Sequence, residues 1–195
     1  MLFICLFFSH SLYLLKIKWY DNLDNNQGIR TPAWLLSVDG THCRIEEPRS
    51  RPEKNWYSHK NNCPAVSYEI GLDINSNNIV WVNGPFMAGK TDLLIFQEPG
   101  GLKNMIPNNY RIIGDMGYAG EPAIISTKNE FDTDAVKLFK RRARARHENL
   151  NSFVKHFSIL SGRYRHTLEK HKMVFEAVCV IVQYKLENDE LLYRI

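Results

Sequence analysis

The stretch WLLSVDGTHCRI, residues 34–45, decides how the fold is read. Its apolar opening predicts a β-strand, and Asp39 before Gly40 predicts that strand's end. A carboxylate in that place is either a turn former or a buried acid, and a buried charge is costly unless it is neutralised, hydrogen-bonded or ligated. A second copy of the pattern bears on the choice. In YRIIGDMGY, residues 110–118, another short apolar run leads into Asp115. Two acids at strand ends point to a paired metal site.

Between the two acids lie residues 66–74 and 79–86, rich in β-branched and aromatic side chains and separated only by NSNN. That is a hairpin pattern, so the first three strands are expected to form an antiparallel meander. The segment before the hairpin, residues 46–62, has two prolines, several basic residues and the adjacent aromatics Trp56 and Tyr57, and reads as a loop. The hairpin is followed by GPFMAGKT, residues 84–91, which satisfies the P-loop pattern GxxxxGK[ST]. A phosphate-binding P-loop needs a strand within a parallel sheet, whereas a four-residue turn ties this strand to its predecessor in an antiparallel pair. Nucleotide binding is therefore the lesser alternative, and Lys90 is expected to face a nucleic-acid backbone instead. Residues 91–98 read as a short helix stopped by Pro99, and residues 123–127 as a fifth strand of open direction.

From residue 132 to 160 the periodicity becomes helical. Val136, Phe139, Ala143, Leu150, Val154 and Phe157 recur at three-, four- or seven-residue spacing, with Asp132 or Thr133 as the N-cap. Glu148 lies off that line, on a face shared with Arg141, Arg144, Asn151 and Lys155. A last helix is expected over residues 167–187, packed under the sheet, with Glu176 as a weaker rival acid.

Charge is unevenly spread. Of a formal net +4, residues 137–172 carry eleven Lys and Arg against two Glu, which leaves the remainder acidic and favours a polyanionic partner. The cysteines, at 5, 43, 63 and 179, form no CxxC pair and read as reduced, intracellular thiols. Residues 1–15 are apolar but too short to span a bilayer, and they lack a basic start. They are expected to form a helix that packs on a further N-terminal portion. A polar linker follows at residues 21–31.

These blocks, in this order, resemble the catalytic domain of a DDE transposase of the PIF/Harbinger-like endonuclease group. SVDGTHCRI carries the first acid and IGDMGY the second. RHENLNSFVKHFSIL resembles the third block, in which Glu148 is followed seven residues later by Lys155 and then by Phe157 and Leu160. The resemblance implies an α/β, RNase H-like mixed sheet, an antiparallel three-strand meander plus two further strands, with flanking helices. It places Asp39 on the first strand, Asp115 on the fourth and Glu148 on the following helix, as catalytic and metal-binding residues. Residues 1–31 then form an apolar segment and linker, residues 32–188 the catalytic domain, and residues 189–195 a tail.

The activity implied is phosphodiester hydrolysis, followed in a transposase by strand transfer, on two Mg²⁺ or Mn²⁺ ions about 3.5–4 Å apart. DNA is the implied partner, held by Arg141, Arg144, Lys155 and Lys90, with a separate DNA-binding protein or self-association beside it and no membrane. The location implied is the nucleus in a eukaryote and otherwise the cytoplasm. His42 reads as a packed or solvent-facing neighbour of the first acid. Family members carry a DNA-binding segment ahead of the domain, and residues 1–33 offer none, which raises the alternative of an inactive or domesticated relic that binds DNA or protein.

Overall fold

The computed structural model describes residues 33–48, 54–108, 110–188 and 192. The apolar segment 1–15, the linker 21–31 and all of the tail but Leu192 lie outside them. Six strands form one mixed sheet: β1 (Ala33–Arg44), β2 (Tyr57–Ser58), β3 (Cys63–Asp73), β4 (Ile79–Met87), β5 (Tyr110–Ile113) and β6 (Ile125–Ser126). Their order is β2-β3-β1-β5-β6, with β4 also paired to β3. Among the described residues four helices flank it: α1 (Asp92–Phe96), α2 (Asp134–Lys155), α3 (Ser158–Ser161) and α4 (Leu168–Asn188).

The alternation of β1 sorts the layers. Cys43 faces one side, where Tyr68, Ile70 and Leu72 of β3 pack with Leu150 and Val154 of α2 and Phe175, Val178 and Val182 of α4. Leu36 and Val38 face the other, against Phe96, Leu102, Ile112 and Tyr118. Burial on both faces is what a central strand requires, and it removes several side chains' worth of apolar surface from water on each side. On the helical side Tyr68 stacks on Phe175 with ring centroids 3.7 Å apart, and its hydroxyl meets His171 Nδ1 at 2.8 Å.

Several expectations need correction. β1 does not end at Asp39. Its antiparallel pairing with β3 continues from Leu36↔Asp73 to Arg44↔Ala65, so Asp39 and Gly40 lie within an extended strand rather than at a turn. The pairing with β5 does stop there: it is parallel and ends at Ser37↔Ile113. The fifth predicted strand is β6, only two residues long and parallel to β5. Its short connection is closed by a 3-10 turn at Met116–Tyr118 instead of a crossover helix. The long helix is capped by Thr133, as one of the two expected caps, but it ends at Lys155. Phe157 is extended and restarts the chain as α3.

The basic run of α2 also divides. Lys140 and Arg146 turn inward and are 5 % and 2 % exposed. Lys140 Nζ donates to Asp132 Oδ2 at 2.6 Å and to the Thr127 carbonyl at 2.8 Å. Arg146 closes the β3–β4 hairpin, donating to the carbonyls of Asp73 and Ser76 and to Asn77 Oδ1. A helix facing a sheet points about half of its residues inward, and these two cations find partners there that a solvated face would not offer.

GPFMAGKT is not arranged as a P-loop. Its first four residues continue β4, which is antiparallel to β3, and Thr91 caps the five-residue α1. Lys90 is ion-paired with Glu98 and lies 5.1 Å from the centroid of the Phe86 ring. Among the described residues, no helix is long and apolar enough to cross a membrane.

Candidate active site

Asp39 and Asp115 come from neighbouring parallel strands. Since the β1–β5 pairing ends at Ser37↔Ile113, each acid sits two residues beyond the last paired position of its own strand. Adjacent strands run about 4.8 Å apart, so the two acids leave the same edge of the pairing side by side. Asp115 then turns the chain, accepting the Gly117 N–H at 2.8 Å.

A third aspartate joins them. Asp92 opens α1, and its side chain is wedged between the two acid-bearing segments. A Cβ added at Gly40 would meet Asp92 Oδ1 at 2.5 Å, and one added at Gly117 would meet Asp92 Oδ2 at 2.6 Å and Asp115 Oδ1 at 3.0 Å. Only glycine leaves room for a carboxylate at both places. The approach is set by α1, whose Ile95 and Phe96 are buried, Phe96 in the layer that also holds Tyr118.

The electrostatics follow from this crowding. Burial pushes the Asp39 carboxyl up to about 6, with Asp115 and Asp92 adding to the rise and Lys60 and the Gly40 N–H opposing it. Asp92 is raised too, first by burial and then by Asp115, against Lys60. Behind them Glu69, paired across from Gly40, accepts the Trp81 indole N–H at 2.7 Å and is raised to about 7, chiefly by burial.

From the helical side, Asn151 Nδ2 donates to Asp39 Oδ2 at 2.8 Å. One turn before it on α2 stands Glu148, on the same face and exposed to solvent. The neighbours that shift Asp39 are Lys60, Asp115 and Asp92, so the structure joins two of the three predicted acids and leaves the third one turn of helix away. One turn after Asn151, Lys155 is half-buried, and its ammonium is disfavoured first by burial, with Asp39 among the groups that counter this. His42 is held by Ser58 Oγ at 2.7 Å, which ties the turn carrying Lys60 to β1; burial lowers its imidazole to about 4.

Carboxylate oxygens are the ligands that hard divalent cations take, and a half-buried Asp39 beside two further acids suits a cation in chemistry. Among the described residues, however, no group of three or more His, Cys, Asp or Glu side chains is set closely enough to hold one.

Comparison with protein families finds a match: the family described as DDE superfamily endonuclease matches residues 38–183. The chain belongs to the DDE superfamily endonucleases. Compared with curated proteins, it finds no match. Within this endonuclease the matched span contains Asp39, Asp92, Asp115 and Glu148, and it carries the whole of α2.

Two neighbours of the site escape a reading of the sequence. Asp92 follows an N-cap threonine, where an acid is ordinarily explained by the helix dipole. The signal that it has another task lies elsewhere, in the glycines at 40 and 117 that its oxygens touch. Lys60 sits in a basic, aromatic loop, and nothing local distinguishes it from its neighbours.

Proposed function

We propose that this endonuclease cuts DNA phosphodiesters at the edge of the β1–β5 pairing, with Asp39, Asp115 and Glu148 as ligands of two Mg²⁺ ions. The observation that supports it is the register: two acids, 76 positions apart in sequence, leave parallel strands at equivalent places. Bound there, the ions would activate water and stabilise the leaving oxygen of an in-line displacement. The chain's own residues hold Asp39 ready for this role, since the Gly40 N–H and the Asn151 amide each donate to one of its oxygens and so favour the ionised form that burial opposes. Lys60 and Lys155 bring positive charge to the same edge, where a DNA phosphate approaches. Arg141 and Arg144 extend that charge along α2. We assign the architecture to the RNase H-like class and the chain to the PIF/Harbinger-like group, with strand transfer as a further step and a nuclear site of action in a eukaryote.

A second reading, a relic that binds DNA without cutting it, is favoured by the exposed Glu148 and by Asn151 occupying an oxygen of Asp39. Supercoiled plasmid decides between them. With Mg²⁺ or Mn²⁺ the full chain is expected to convert it to the nicked form, and EDTA to stop the conversion. Plasmid that is bound and retarded but never nicked, at any concentration of either ion, leaves the relic reading in place.

A further inference from the structure

Between β6 and α2 runs a loop, residues 127–133, that neither the acids nor the core uses. Phe131 stands on it 96 % exposed, against 60 % or 65 % for the next most exposed large apolar side chains, Met116 and Tyr184. The loop around it is firmly held. Asn129 Oδ1 accepts the Phe131 N–H at 3.0 Å, and the following residue, Asp132, is clamped by the buried Lys140 at 2.6 Å. A pinned backbone on both sides presents the phenyl ring outward instead of letting it fold onto the surface.

Glu130 and Asp132, the residues on either side of Phe131, line a cavity of about 560 Å³ formed by this loop and the first half of α2. That is the size of a small-ligand site. With Lys140 and Asp132 committed to each other, its other charges are Lys128, Lys137, Arg141 and Arg144 against Glu130 and Asp134, a net of +2. Leu138 supplies an apolar patch in the wall. An exposed aromatic face beside a cationic hollow suits a ligand that has both a π-face and phosphates. Paired duplex would satisfy the cations but keeps its bases stacked on each other, so only an unpaired base offers the ring a partner. The cavity also leads to the acids. Lys137, Arg141, Arg144, Glu148 and Asn151 follow at four- and three-residue steps along one face of α2, and the eleven helical steps from Lys137 to Glu148 rise about 16 Å.

We propose that Phe131 and the basic cavity beside it bind an unpaired nucleobase of the substrate DNA, the base stacking on the phenyl ring and its flanking phosphates resting on Lys137, Arg141 and Arg144. This rests on the reading of DNA as the substrate. The test uses the full chain in EDTA with two fluorescently labelled duplexes of equal length, one fully paired and one with a single bulged 2-aminopurine. The wild type is expected to bind the bulged duplex about tenfold more tightly and to quench the 2-aminopurine. Phe131→Ala should lose both the preference and the quenching while keeping its affinity for paired duplex, and Phe131→Trp should retain both. Arg141→Ala with Arg144→Ala should weaken both duplexes and lower the salt slope by about 1.8, at 0.9 for each contact. Equal wild-type affinity for the two duplexes, or an undiminished preference in Phe131→Ala, overturns the proposal and leaves the ring to a protein partner. Failure of the wild type to bind either duplex overturns the DNA reading itself, and this proposal with it.

Discussion

Asp39→Asn is expected to lower Mg²⁺-dependent nicking by about a thousandfold while leaving the fold as stable as before or more so, since a metal-held carboxylate contributes several kcal/mol to such a reaction. The stability half follows from burial. Asp39 holds its proton up to about pH 6 in the folded chain, against an ordinary 3.8. Between those values the folded state binds more protons than the unfolded state, so this group's contribution to stability falls as pH rises through the window. Asparagine has no proton to lose there. Its melting temperature relative to wild type should therefore rise from pH 4 to pH 6 in metal-free buffer. Parallel melts and nicking assays check both halves. A variant that still nicks at a tenth of the wild-type rate would remove Asp39 from the chemistry, and one that melts far below wild type at pH 7 would make it a structural residue.

The largest effect on stability is expected at Arg146. Its guanidinium is buried and serves the carbonyls of Asp73 and Ser76 and the amide oxygen of Asn77, at the turn that joins β3 to β4. Removing it strands one buried and two part-buried acceptors and opens a cavity beside the hairpin. Arg146→Ala should cost about 3–5 kcal/mol. In a chain of this size that is a fall of about 10 °C in melting temperature. Arg146→Lys should recover only part, because one ammonium on a different stem cannot reproduce the planar fork. Thermal melts of the two variants test this. A loss under 1 kcal/mol in Arg146→Ala would mean that the hairpin closes without the arginine and that Arg146 is available to DNA after all.

The hairpin, the meander, Thr133 as a cap and the final helix were legible because periodicity and turn chemistry are local. Asp39 and Asp115 were legible as a pair because the same apolar-run-then-acid pattern occurs twice. What local pattern could not convey was how the chain closes on itself. Asp-Gly within residues 34–45 reads as a turn, but pairing with β3 carries the strand through it to Arg44, so tertiary hydrogen bonds outweigh a turn preference. Arg146 and Lys140 read as part of a DNA-binding run until a sheet and a loop stand opposite them. Asp92 reads as a helix-start acid until Gly40 and Gly117 let it between the segments that carry Asp39 and Asp115. Each depends on partners about twenty or more positions away, apart from Lys140, whose partner Asp132 lies eight residues before it.

Crystals grown with Mn²⁺ and measured at the manganese absorption edge would locate the ions directly. Anomalous peaks are expected between the carboxylates of Asp39 and Asp115, with Glu148 drawn in as a further ligand and the peaks lost in Asp39→Asn. Fully occupied manganese elsewhere on the chain, with Asp39 and Asp115 unligated, would contradict the proposed two-ion site.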